Sequence, residues 1–193
     1  MILKPPTCES CPFQHRGRYF VPDEYVEGAE VLVLSQNPGA DEEAGQRLVA
    51  YDGKHKVYEP AAPAPLLGTT GYDLSRKYLP LAGLERGKNV SLANPIRCRL
   101  NGSNDLPPIT DKVLRVAIEH CQHHHYKPPQ STRLVVAEGA YALYAATGED
   151  GTESPGYSIN RGIEGWRGWL LPWNPPPRPR LLAPDVPTPS TTF

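Results

Sequence analysis

The stretch EVLVLSQNPG, residues 30–39, decides the fold. Val31 to Leu34 is an unbroken β-branched and leucine run, the pattern of a strand buried on both faces of a parallel sheet. It stops at Gln36-Asn37-Pro38-Gly39, a cluster of turn-forming residues. Folds of the α/β class place their ligands at such carboxyl ends of strands, so this loop is also the first candidate for a site. Two similar runs follow, NVSLA at 89–93 and RLVVA at 133–137, and a fourth strand is expected near Trp169 to Leu171. Helices are expected between them. Tyr72 to Leu81 is apolar at 74, 78 and 81, with Pro80 bending or ending it. Residues 110–125 have Thr110 as N-cap and Val113, Leu114, Ala117 and Ile118 along one face. Ala140 to Ala146 forms a third, short helix. Alternating strands and helices predict a three-layer α/β/α domain around a central, mostly parallel four-stranded sheet. That domain is expected to span 1–171, with 1–28 as an irregular cap and 47–65 as a loop. The Pro-rich segment 172–193 reads as an extended or disordered tail.

The bulk properties narrow the class without naming a partner. The 193 residues suffice for one α/β domain with a sizeable core. A net charge of −1 sets up no global basic field, so any nucleic-acid contact has to be local. No apolar run approaches membrane-spanning length, and the N-terminus MILKPPTCES lacks the apolar stretch of a secretory signal. An intracellular, cytoplasmic protein is the expectation, without a membrane partner and monomeric.

In that reducing compartment the four cysteines read as ligands rather than disulfides. Cys8 and Cys11 form a C-x2-C pair, Cys98 follows the second strand, and Cys121 lies near the end of the 110–125 helix. Four thiolates suit one [4Fe–4S] cluster or one structural zinc, and spacing does not separate the two. Four buried, unligated thiols are the alternative.

Taken in order, CESC (8–11), VLVLSQNPGADEE (31–43), PLLGTTGYDL (65–74), LAGLERGKNVSLANPIRCR (81–99), Cys121 and LVVAEGAYALYAATG (134–148) resemble the iron–sulfur, family 4 uracil-DNA glycosylases. Those proteins carry a G-E-A-P-G-type loop, a P-F-V-G-x-x-G segment, a T-N-x-x-x-C-R strand end and an L-G-x-x-A helix start. The match runs from about Cys8 to Gly148. The resemblance implies a uracil-DNA glycosylase-like fold, a structural [4Fe–4S] cluster on Cys8, Cys11, Cys98 and Cys121, and uracil-containing DNA as partner. It also implies a hydrolase of DNA repair that cleaves an N-glycosyl bond.

Such enzymes flip the base out of the stack and read its pairing edge. Cleavage then needs donors for the charge gathering on the departing base and a water held against the sugar carbon. Asn37 stands where the superfamily places its water-positioning residue, and an amide oxygen can orient a water. Gln36 and Asn37 replace the family's Glu and small residue. The Asn-Pro-Gly triplet instead resembles the mismatch-specific and single-strand-selective branches. Asp41 or Glu42 is either a carboxylate assisting catalysis or a first-turn helix acid. Asn94 resembles the base-reading Asn, its amide complementing uracil N3–H and O4. Backbone N–H groups around Gln36 and Gly39 are candidates for uracil O2.

Three features depart from the family. Leu66 replaces the stacking aromatic, with Tyr51 or Tyr58 as candidate substitutes. No His follows His125, where a late His-Pro motif would be due. Arg167-Gly168 resembles the pair before the last strand, but the elements beyond it are missing. No Lys lies in the loop at 35–43, which argues against Schiff-base chemistry there. Arg97 and Arg99 are read as phosphate contacts beside Cys98. The His120, His123, His124 and His125 run is read as a solvated helix end.

Overall fold

A computed structural model describes residues 1–17, 19–100 and 106–148, together with the backbone of Ser158–Ile159 and Gly168–Trp173. In chain order the strands are β1 (Ile2–Leu3), β2 (Tyr19–Phe20), β3 (Val31–Leu34), β4 (Gln46–Tyr51), β5 (Lys56–Pro60), β6 (Val90–Ala93), β7 (Leu134–Glu138), β8 (Ser158–Ile159) and β9 (Gly168–Trp173). The α-helices are α1 (Ala40–Ala44), α2 (Thr69–Asp73), α3 (Leu79–Leu81), α4 (Lys112–His125) and α5 (Ala140–Thr147).

The class is mixed α/β, and β6, β3 and β7 lie side by side as parallel neighbours. The sheet is not four-stranded as expected: its order is β6-β3-β7-β9-β8, with β9 parallel to β7 and the two-residue β8 antiparallel at the edge. A strand as short as β8 leaves no periodic trace in a sequence. Pro172 and Trp173, expected to begin the 172–193 tail, instead end β9, while residues 174–193 and Arg167 lie outside the described residues.

Both faces of the three parallel strands are apolar, as their unbroken hydrophobic runs require. Leu32, Leu34, Ala93, Val135 and Ala137 pack with Leu114, Ala117, Ile118 and Cys121 of α4 and with Ala142, Ala145 and Ala146 of α5. Val33, Val90 and Leu92 pack on the other side with Leu66, Leu74 and Leu79. Among the described residues no helix is long and apolar enough to cross a membrane.

Three local expectations are corrected. The N-cap of α4 is Asp111, not Thr110: its Oδ1 accepts from Val113 N at 2.7 Å and Leu114 N at 3.0 Å. Two good capping residues in succession made the choice ambiguous. Val113 is also exposed, and the buried stripe of α4 is Leu114, Ala117, Ile118 and Cys121.

The segment from Thr69 to Leu81 is helical, but Leu74–Tyr78 forms a π turn in its middle. Leu79 N donates to Leu74 O, five residues back. Pro80 has no N–H and crowds the carbonyl four residues earlier, and the widened turn accommodates both. The buried positions are therefore Leu74 and Leu79, while Tyr78 and Leu81 are exposed. The expected 74, 78, 81 stripe assumed an unbroken 3.6-residue period.

Within 47–65 the chain forms a β-hairpin, not a loop. β4 and β5 pair from Gln46↔Pro60 to Tyr51↔Lys56, with a register shift between Leu48 and Ala50. Asp52 Oδ1 closes the tip by accepting from Lys54 N and His55 N. Only Leu48 of the two strands is buried, so no alternation marked them in the sequence.

The N-terminal segment completes the sheet. Glu24 exchanges two backbone hydrogen bonds of 2.8 Å with Leu92, covering the free edge of β6.

Candidate functional site

A cavity of about 600 Å³ opens at the carboxyl ends of β6, β3 and β7, within the roughly 300–1,000 Å³ typical of small-ligand sites. Gln36, Asn37, Gly39, Glu42, Leu66 and Asn94 all line it. These six residues come from three separate segments of the chain, and the fold brings them together. Ser35, Asp41, Lys56, Thr69, Thr70, Glu138 and Gly139 also contribute.

The floor follows from strand register. Leu34 pairs with Ala93 on one side and Ala137 on the other, which sets Ser35, Asn94 and Glu138 level in the next row. By the period-2 rule their side chains continue the face of Val33, Leu92 and Val136. A row of three polar groups therefore extends an apolar face. Asn94 is almost fully buried, and its side chain makes no hydrogen bond to another described residue. Its backbone N donates to Asp23 Oδ1 at 3.3 Å. Asn37 is half-buried, with Nδ2 donating to Pro38 O at 3.3 Å. That bond leaves its Oδ1 without a partner among the described residues.

Glu42 is tied down rather than free. Its Oε2 accepts from Gly39 N at 2.7 Å, and its Oε1 accepts from Leu67 N at 3.1 Å and Gly68 N at 3.4 Å. This carboxylate stitches the 36–39 loop to the 66–68 loop. It also engages the Gly39 amide that sequence reasoning offered to uracil O2.

Leu66 holds a left-handed backbone, φ 57°, which is costly for a residue with a branched side chain. The surroundings fix it there. Arg86 donates to Leu66 O at 2.6 Å and to Pro65 O at 2.7 Å, and Glu24 grips the same guanidinium at 2.6 Å. Gly71 lies so close to Leu66 that any Cβ would overlap its carbonyl. Behind this wall lies a second cavity of about 440 Å³, also lined by Leu66 and Arg86. Neither Tyr51 nor Tyr58 lines the main cavity; the Tyr58 hydroxyl instead meets Asp41 at 3.3 Å.

No protein-family model and no curated protein matches the chain.

The four cysteines are all buried and free of disulfides. Among the described residues no group of three or more His, Cys, Asp or Glu side chains is placed to hold a metal ion. The thiols nevertheless act on one another. A hydrogen bond between Cys11 and Cys121 favours the thiolate on Cys11, lowering it to about 7, and holds the proton on Cys121. Burial pushes Cys98 up to about 12, with Cys121 and Cys8 adding to it. Burial and then Cys121 also raise Cys8. A Cβ on Gly17 would lie 2.6 Å from Arg99 O and 3.2 Å from Cys98 Cβ, so the glycine lets the N-terminal segment close over Cys98. The four thiols are thus close enough to shift one another's ionisation, beside the cations Lys4 and Arg97, and sulfur is the donor type that soft metals and iron–sulfur clusters take.

Arg97 corrects its expected role. It is 1% exposed and pairs with Asp23 at 2.5 Å, so it does not face DNA. Its Nη1 donates to Cys121 O at 3.2 Å. Arg99 reaches Glu43 at 3.7 Å. The histidine run is only partly solvated: His120 Nε2 meets Thr7 O at 2.9 Å, and His125 Nε2 lies 3.5 Å from Cys8 Sγ. Burial lowers His125 to about 4, so at neutral pH it carries no charge to complement the helix end.

Sequence reasoning missed Ser35 and Glu138, and took Lys56 only as part of a local basic spot on a solvated loop. An acid closing the apolar run LVVAE was the signal available for Glu138. Lys56 was hidden by reading its hairpin as a loop.

Proposed function

We propose that the chain is a monofunctional DNA glycosylase that hydrolyses the N-glycosidic bond of uracil in DNA, with a uracil-DNA glycosylase-like α/β/α fold. The observation that carries this reading is the convergence of Gln36, Asn37, Gly39, Glu42, Leu66 and Asn94 on one cavity at the strand ends. Each was singled out in the sequence by its place in a motif, and a shared site requires that they meet in one cavity.

In this reading Asn37 Oδ1 orients the attacking water, and Asn94 presents a donor and an acceptor to the base edge. Gln36 lines the pocket beside Asn37 and contacts the base. Glu42 is a positioning residue that holds the two loops at fixed separation. Leu66 supplies an apolar wall for the flipped base. Cys8, Cys11, Cys98 and Cys121 would hold a [4Fe–4S] cluster, whose contribution is structural. Cys98→Ser is expected to remove most of the brown cluster absorbance and lower the melting temperature. A colourless, equally stable wild type would overturn the assignment.

The test is incubation of anaerobically purified protein with a single-uracil oligonucleotide. Strand breaks at uracil only after alkali support a monofunctional glycosylase, and breaks without alkali point to a lyase. One observation favours a second reading, a uracil- or single-strand-binding module: an aliphatic Leu66 stands where the resembling family stacks an aromatic. Tight uracil-dependent binding without excision supports that reading.

A further inference from the structure

Resting on the reading of the main cavity as a pocket for flipped uracil, we infer that the β4–β5 hairpin is a strand clamp. Lys56 holds the DNA phosphate beside the flipped nucleotide at the cavity mouth.

The hairpin is built and placed for this. Its base is fixed to the pocket wall: Leu48 is buried, its N–H donates to Leu67 O at 2.9 Å, and Ala61 N donates to Gly45 O at 2.8 Å. Along β5 alternate residues take opposite faces. Tyr58 turns to the main cavity, its hydroxyl 3.3 Å from Asp41, and Lys56 shares that face and lines the same cavity. Glu59 takes the other face and lines the second cavity. Lys56 is exposed, so it belongs to the mouth of the cavity rather than its floor. Its ammonium stands over the ring of Tyr51, its cross-strand partner, 5.8 Å from the centroid. That distance is within the range in which an aromatic face attracts a cation.

The charges point the same way. Lys56 is the one Lys or Arg among the described residues that line this cavity, whereas Asp41, Glu42 and Glu138 bring carboxyl groups inside. Such an interior admits a neutral base and repels a phosphate, so the phosphate of a flipped nucleotide stays at the rim. The hairpin's own acids are engaged elsewhere: Glu59 with Arg47 at 3.7 Å, and Asp52 with His55 at 3.0 Å. Lys56 has no carboxylate partner among the described residues, which leaves its charge for a ligand. Lys54, nearer the tip, does not line the cavity.

The experiment measures binding by fluorescence anisotropy, at several salt concentrations, of a single-stranded oligonucleotide carrying one 2′-fluoro-2′-deoxyuridine, whose glycosidic bond resists cleavage. Wild type, Lys56→Ala, Lys56→Arg and Lys54→Ala are compared, with melting temperatures to show that each is folded. In parallel oligonucleotides a neutral methylphosphonate replaces one phosphate at a time on either side of the fluorinated nucleotide. Lys56→Ala is expected to weaken binding about tenfold at low salt. The plot of log Kd against log salt should become shallower by about 0.7, the share of one phosphate on a single strand. One methylphosphonate position should weaken wild type by a similar factor and leave Lys56→Ala unchanged. Lys56→Arg should restore affinity and slope, and Lys54→Ala should keep the wild-type methylphosphonate pattern. Unchanged affinity and slope in Lys56→Ala, equal losses in Lys54→Ala and Lys56→Ala, or no single sensitive position in wild type overturns the contact. Wild type that binds as expected but leaves uracil in the ordinary oligonucleotide overturns the glycosylase reading alone. Wild type that binds no oligonucleotide overturns both.

Discussion

Asn37→Ala is expected to slow the proposed uracil release by about 10²-fold or more, with folding and thiol chemistry unchanged. The size follows from positioning: a misplacement of about 1 Å in a reacting group costs on the order of 10²-fold. Asn37 makes one weak contact to its own neighbour, Pro38 O at 3.3 Å, so its removal breaks no bond between elements. The fold therefore has little to lose, and the stability is expected to stay within about 0.5 kcal/mol of wild type. Asn37→Asp keeps an oxygen in place and adds a charge able to take the water's proton, so it should retain activity. Single-turnover rates of the three proteins decide the matter. An unchanged rate in Asn37→Ala removes this residue from the mechanism.

Gly71→Ala has the largest effect expected on stability. The added methyl overlaps the carbonyl carbon and oxygen of Leu66, and neither can retreat, because Arg86 pins that carbonyl and its predecessor. Forced overpacking of this kind costs about 3 kcal/mol or more. In a domain of this size that lowers the melting temperature by about 6–12 °C. Excision should fall with it, since Leu66 lines the cavity. A melting temperature within about 2 °C of wild type would mean that the 66–71 turn rearranges freely.

What could be read from the sequence follows the kind of signal each element leaves. The strands at 31–34, 90–93 and 134–138 were legible because burial on both faces writes an unbroken apolar run. Asn37 and Asn94 were legible because each ends such a run in a turn. The hairpin at 46–60 was not, since a ribbon with one buried residue has no hydrophobic period to detect. The π turn was hidden because Pro80 announces a break without saying how the chain absorbs it. Arg97 misled for a different reason. A charged residue beside a cysteine looks like surface, and only the distant Asp23, brought in by the N-terminal segment, makes its burial possible. Glu138 was overlooked because an acid at a strand end ordinarily faces water.

Asp23 has a consequence for the order of events in folding. One of its oxygens receives the backbone N–H of Asn94, and the other receives Arg97 and the Tyr25 hydroxyl. The parallel strands can form their ladder without residues 1–26, but Asn94 lacks this bond until that segment docks along β6. The Asn94 end of the cavity is thus completed by residues far upstream of the sheet it belongs to.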